Sequence, residues 1–167
     1  MFKEIYGYHY TQKTNLQSIL DNGFRISAGM GHWLGDGVYF YETCDDVRGY
    51  KGEDIVAIKA TIKVEEERFL DFSSPQGIQV CESIASTIEN ITSNTIRRNR
   101  VEEVRKELAQ NIHETNSRDN FDVFRGPYYR DHPTLKDDNL KDKWLEHEVH
   151  ILVRKLSCIT YFEPVNE

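Results

Sequence analysis

The protein has 167 residues, a net charge of −7 with its histidines neutral and a hydrophobic fraction of 38%. This length favours one domain, and the apolar content is enough for one core. The acidic balance excludes a globally basic nucleic-acid coat but leaves a local basic patch open. No apolar run approaches the roughly 18 residues that span a bilayer, and the N-terminus has no apolar centre like that of a signal peptide. We therefore expect a cytoplasmic protein without a membrane partner.

The first part of the chain is predicted to contain two aromatic strands, separated by a helix and a glycine-rich loop. EIYGYHYT predicts a strand that ends near Thr11. Thr14 with Gln17 three residues later is a capping-box pattern, and it predicts a helix that Gly23 ends. The glycine-rich residues 27–37 predict a loop, and GVYFY at its end predicts a second aromatic strand.

The rest of the chain is predicted to place strands at both ends of a helical middle. Alternating apolar residues or aromatic content predict strands, over residues 55–64, 68–72, 121–131, 146–155 and 157–163. Isoleucines and valines at helical spacing predict two helices, over about 78–93 and 97–114. SSPQG at 73–77 predicts a turn, and Gly126-Pro127 is expected to break the strand or hairpin around it. This order favours an α+β fold in a single domain, 1–167, with a helical insertion at about 78–115.

Cysteine and histidine usage argues against disulfides and metals. The sequence has three cysteines, Cys44, Cys81 and Cys158. Their odd number and wide spacing favour reduced thiols over a disulfide framework or a cysteine zinc site. His147 and His150 lie three apart near His132, but on a strand positions 147 and 150 point to opposite faces. We expect no bound metal.

Three polar side chains lie within predicted strands. His9 is in the first aromatic strand, Tyr39 is in the second, and Glu148 is in an apolar strand near the C-terminus. A carboxylate that faces the core without a partner is costly, so we expect Glu148 to face a cleft. Taken from the residues alone, each has an ordinary alternative: a structural histidine, a packing tyrosine and a solvent-facing glutamate.

The first 42 residues contain, in order, YHYTQKTNLQSILDNGFRISA, a loop and LGDGVYFYE. This order resembles the N-terminal half of an ADP-ribosyltransferase catalytic domain. It is similar to the poly(ADP-ribose) polymerase-like branch, also called the His-Tyr-Glu or diphtheria-toxin-like group. The last shared feature of that branch is a Glu in a late strand of the catalytic domain. The resemblance implies the fold of that family, with two small, mostly antiparallel sheets around an NAD cleft and, here, an inserted helical segment.

The resemblance implies an NAD-binding role for each matching residue. His9 would hold the adenosine-side ribose hydroxyl of NAD. Tyr39 and Tyr50, which follows it by eleven residues, would sandwich the nicotinamide ring. Arg25 would meet the pyrophosphate, and residues 27–36 would form the loop that closes over the donor.

Two matching positions carry side chains that differ from the most common family residue. Tyr10 stands where the family most often has Gly, so its backbone would bind the nicotinamide carboxamide while its ring narrows the pocket. Val47 stands where the family often has a Ser that grips the carboxamide. Thr11 keeps the hydroxyl of the family's Ser.

The resemblance makes Glu148 the catalytic residue, together with His9 and Tyr39. Cleavage of the glycosidic bond of NAD builds positive charge on the nicotinamide-side ribose, and a fixed carboxylate stabilises that charge. Glu146 shares the strand face of Glu148. In the other ADP-ribosyltransferase branch a Glu at that spacing activates the acceptor, so Glu146 is an acceptor-side candidate.

Arginines mark a candidate surface for the acceptor. The segment TIRRNRVEEVRK contains Arg97, Arg98 and Arg100, which could contact a phosphate backbone. Arg125 lies in FRGPYYR, where aromatic residues alternate with arginines in a composition that suits stacking on bases. The alternative for the first segment is a solvated helix face with charge pairs to neighbouring glutamates.

The resemblance implies a mono-ADP-ribosyltransferase with NAD as substrate and no metal. RNA or DNA is slightly favoured as the acceptor, and a protein side chain is the main alternative. A role as a toxin in a toxin–antitoxin or anti-phage system, with a neutralising antitoxin as partner, is a further hypothesis. An NAD-dependent RNA 2′-phosphotransferase and a non-catalytic module that binds ADP-ribose or a partner also stay open.

Overall fold

The computed structural model describes residues 1–28, 34–44, 54–79, 121–129 and 147–165. Of the predicted helices over about 78–93 and 97–114, only residues 78 and 79 fall in these ranges, and both are helical. In the part of the chain that the structure describes, no helix has the length and apolar content needed to cross a bilayer.

The described residues form a small, sheet-dominated domain of mixed α and β structure, which is consistent with the predicted α+β class. The strands are β1 (Phe2–Gln12), β2 (Val38–Tyr41), β3 (Ile55–Glu65), β4 (Phe69–Asp71), β5 (Val123–Tyr129), β6 (His147–Val153) and β7 (Ile159–Pro164). Helix α1 spans Lys13–Asn22. Short 3-10 turns at Glu66–Arg68 and Leu156–Cys158 precede β4 and β7.

The seven described strands form one sheet in the order β4-β5-β6-β2-β1-β3-β7, so the expectation of two small sheets is wrong for this part of the chain. The pairing is antiparallel except between β4 and β5. β1 and β3 pair along their whole length, but β1 and β2 pair at a single position, Tyr8 with Tyr41. That one pair joins a β4-β5-β6-β2 half to a β1-β3-β7 half. The sheet is continuous because the two halves share this pair.

Helix α1 begins earlier than the capping-box pattern predicts. Its N-cap is Gln12, without a side-chain cap. The chain passes directly from β1 into the helix because Lys13 donates its backbone N–H to the carbonyl oxygen of Asp54, at 2.8 Å. Gln17 donates to Asp21 on the next turn rather than closing a capping box. The end at Gly23 is confirmed: its φ is 76°, and its N–H donates to the carbonyl oxygen of Ile19.

Strand β5 runs through Gly126-Pro127, which was expected to break it. Pro127 lies opposite Val149 in the ladder with β6. The parallel partner β4 ends opposite Arg125. From Gly126 onwards β6 is therefore the only described neighbour of β5, and a proline without an N–H is tolerated on such an edge. The predicted turn at 73–77 is also shorter than expected, since residues 75–79 are helical.

The two faces of the sheet have different characters because side chains alternate along each strand. One face, the core face, carries the main hydrophobic core with Phe24. Its strand residues include Val38, Phe40, Ile58, Ala60, Ile62, Val64, Val123, Ile151 and Val153. The opposite face carries tyrosines on β1 and β2, and we call it the tyrosine face. Near β4 and β5 it also holds a smaller buried group, Leu34, Leu70, Phe72, Phe124 and Leu152.

Gly37, directly before β2, allows β2 to approach β6 closely. A Cβ atom at this position would lie 2.5 Å from Leu152 Cδ1 and 2.6 Å from the backbone oxygen of Val153. We expect Gly37→Ala to lower the free energy of unfolding by about 1–3 kcal/mol, as overpacking usually does. Urea denaturation checks this expectation. An unchanged midpoint would mean that β6 moves aside at no cost.

Candidate active site

The pairing of β2 with β6 brings distant parts of the chain onto the tyrosine face. Tyr39 lies opposite Leu152, and Tyr41 lies opposite His150. Alternate residues of β6, including Glu148, therefore project to the same side as the two tyrosines. The structure thus places the predicted Tyr39 and Glu148 on one face of two neighbouring strands.

Tyr39 is anchored through its hydroxyl group to the segment before β2. The hydroxyl oxygen accepts the N–H of Leu34 at 3.0 Å, and the hydroxyl donates to the carbonyl oxygen of Gly35 at 2.9 Å. Burial raises the pKa of the Tyr39 phenol well above its ordinary value, so the group stays neutral. An isolated bridge between Ser27 and Gly37 closes the base of this segment. The end of the predicted donor loop is therefore hydrogen-bonded to Tyr39, a predicted site residue.

Glu148 is a buried carboxylate with a histidine partner on its own strand. Its Oε2 lies 3.2 Å from Nε2 of His150, and the two side chains are only 6% and 12% exposed. The His150 ring meets Tyr41 edge-on at 4.9 Å between ring centroids and Tyr39 at 6.3 Å. Glu148 does not face open solvent, which rules out the ordinary alternative for a strand glutamate. His150 connects it to both tyrosines.

His9 approaches Tyr39 from the other face of the sheet. It lies opposite Ile58 of the core face, and its ring packs edge-on against Phe24 and Phe40 at 5.2 and 5.8 Å. Its Nδ1 is 2.9 Å from the carbonyl oxygen of Tyr39. Burial lowers the pKa of His9, so the neutral ring donates Nδ1–H to this carbonyl and keeps Nε2 as an acceptor. His9 therefore meets Tyr39 through the backbone, beside the single β1–β2 pair.

The lowered pKa of His9 predicts a loss of stability in mild acid. Below the ordinary histidine value of about 6.5, the unfolded chain binds a proton at His9 more readily than the folded chain. The free energy of unfolding therefore falls as the pH drops through this window towards the folded pKa of His9. We expect a shallower slope in His9→Gln, whose amide donates without titrating. Urea unfolding at a series of pH values measures the difference, and equal slopes would contradict the expectation.

The remaining predicted NAD-binding residues lie at different places around the site. Tyr10 packs its ring against Tyr41 at 5.6 Å and donates its hydroxyl proton to the carbonyl oxygen of Cys44. Thr11 accepts a hydrogen bond from Asn15 at the start of α1. Arg25 is exposed directly after the buried Phe24. Tyr50 lies outside the described residues.

Of the acceptor-side candidates, Arg125 is the one in the described ranges. Its guanidinium donates to both carboxylate oxygens of Glu42 at 2.7 Å and to Asp71 at 3.0 Å. These two carboxylates raise its pKa further. The side chain thereby connects β5 to the ends of β2 and β4, and a phosphate would have to compete with both carboxylates. Glu146, Arg97, Arg98 and Arg100 lie outside the described residues.

The chain matches no protein family model, and no curated protein matches it significantly in sequence.

Sequence reasoning did not identify His150 as a site residue. The alternation of β6 predicted correctly that it shares a face with Glu148. The missing information was the partner strand: nothing in the sequence pairs residue 150 with residue 41. An apolar strand that carries both a Glu and a His on one face was the available signal.

Proposed function

We propose that the protein is a mono-ADP-ribosyltransferase that uses NAD as its substrate. The observation that carries the proposal is the β2–β6 pairing, which sets Tyr39 and the buried Glu148 on the same face of the sheet. The ordered resemblance of about 50 N-terminal residues to the His-Tyr-Glu branch supports it. The proposed place for NAD is along the junction of β1 and β2, where the two halves of the sheet share a single pair.

The proposed reaction breaks the bond between nicotinamide N1 and C1′ of its ribose. Nicotinamide leaves with the bonding electron pair, so its cationic ring becomes a neutral molecule and needs no proton. The ribose becomes oxocarbenium-like and positively charged at C1′ and the ring oxygen. An oxygen or nitrogen atom of the acceptor attacks C1′ and loses a proton to solvent or to a base. The products are the ADP-ribosylated acceptor, nicotinamide and a proton.

In the proposed reaction, three of the described residues have a role. Glu148 would accept a hydrogen bond from the ribose 2′-hydroxyl and stabilise the positive charge that develops on the ribose. The burial of Glu148 strengthens this electrostatic effect. The ring of Tyr39 would pack on the nicotinamide. His9 lies on the opposite face of the sheet, so its proposed role is to hold Tyr39 in place through the hydrogen bond to the Tyr39 carbonyl oxygen.

The acceptor is proposed to be RNA or DNA, with a protein side chain as the second candidate. The preference rests on the arginines at 97, 98 and 100, because Arg125 is already held by two carboxylates. Modification of nucleic acid in the cytoplasm would harm the host cell. The proposal therefore includes a toxin role and a neutralising partner.

The test is to incubate the protein with NAD labelled in its adenylate part, together with RNA, DNA and protein acceptors. We expect release of free nicotinamide and label in the nucleic-acid fraction. Label in the protein fraction would instead establish a protein-modifying transferase. Bound NAD with no nicotinamide released would indicate a binding module, and loss of phosphate from 2′-phosphorylated RNA would indicate the phosphotransferase.

A further inference from the structure

We propose that His150 is a positioning residue that donates a hydrogen bond from Nε2 to Oε2 of Glu148 and aims the carboxylate at the nicotinamide-side ribose. The two atoms are 3.2 Å apart in a nearly closed environment. The inference rests on the proposed function, because it assigns His150 to the reaction for which Glu148 is the catalytic residue.

The position of the His150 ring is set by its neighbours on both sides. From β2, the Tyr41 and Tyr39 rings meet it edge-on at interplanar angles of 83° and 89°. From β5, the residue opposite is Gly126, which has no side chain to compete for the space. Tyr39 is itself anchored by Leu34 and Gly35. The imidazole therefore has a defined orientation, and one carboxylate oxygen of Glu148 is directed with it.

A neutral histidine suits this task better than a cationic side chain. A buried carboxylate needs a hydrogen-bond donor, but the catalytic role also needs its negative charge. A lysine or arginine would supply the donor and cancel much of the charge. Neutral imidazole donates one N–H and leaves the charge on the carboxylate.

The test measures kcat and KM for nicotinamide release from NAD in two variants of His150. His150→Leu removes the donor, and we expect kcat to fall about 10- to 100-fold, the usual effect of losing a hydrogen bond to a charged group. We expect KM for NAD to change by less than about threefold, since the binding groups stay in place. His150→Gln retains an uncharged N–H donor and should recover most of kcat. Thr61→Leu, on the same face of β3, is the matched control and should match the wild type.

The outcomes separate this inference from the proposed function. Wild-type protein that releases no nicotinamide would overturn both. An active wild type with an equally active His150→Leu variant would overturn the positioning role alone, as would equal losses in the Leu and Gln variants or a change confined to KM. Nitrogen-15 NMR of the wild-type histidines covers the case of a variant that does not fold. A His150 tautomer protonated at Nδ1 instead of Nε2 would contradict the proposed hydrogen bond.

Discussion

Glu148→Gln is expected to keep the fold and the binding of NAD while its rate of transfer falls by about 10²–10³-fold, as for loss of one preorganised electrostatic group. Glutamine has nearly the same shape, and its carbonyl oxygen still accepts the N–H of His150. What it lacks is the negative charge that stabilises the oxocarbenium-like ribose. Nicotinamide release measures the rate, and calorimetry measures NAD binding.

The control for this variant is Glu163→Gln on β7. Glu163 is exposed and accepts a hydrogen bond from Tyr161, so its charge is far from the proposed chemistry in the sheet order. We expect this control to transfer ADP-ribose at the wild-type rate. Full activity in Glu148→Gln would mean either that Glu146 is the catalytic residue or that the proposed reaction is wrong.

Phe40→Ala is expected to lower the free energy of unfolding by about 3–5 kcal/mol, the usual cost of truncating a buried aromatic side chain. Phe40 is fully buried on β2, and its ring contacts Phe24 and His9. A Cβ atom at position 7 would lie 2.6 Å from Cβ of Phe40, so the close packing of Phe40 on β1 requires a glycine there. The side chain thus packs the two half-sheets together where the β1–β2 ladder has only one pair. Chemical denaturation measures the loss.

Phe2→Ala provides the matched comparison for the core substitution. Phe2 is 60% exposed at the start of β1 and has Lys63 near its ring. Its truncation leaves no buried cavity, so we expect a change below about 1 kcal/mol. Equal losses in the two variants would show that Phe40 does not have the core role assigned to it.

Local patterns predicted most of the described elements, because strand and helix periodicity depend on neighbours in sequence. The alternation in IVAIKATIKV predicted β3, and its buried residues Ile58, Ala60, Ile62 and Val64 share the core face as expected. The end of α1 at Gly23 was also predictable, since a positive φ there favours glycine. The errors came where a distant strand decided the outcome, as at the start of α1 and at Gly126-Pro127.

For the candidate site, the sequence alone determined that His9, Tyr39 and Glu148 lie on strands and that Glu148 and His150 share a face. It did not determine which strands are neighbours, because the β2–β6 pairing joins residues more than a hundred positions apart and depends on long-range packing. Only the tertiary structure placed the Glu148–His150 pair beside Tyr39 and Tyr41, turned His9 to the opposite face and engaged Arg125 with Glu42 and Asp71. The physical reason is that a side chain's chemistry belongs to its residue, whereas its partners and burial depend on the elements that pack around it.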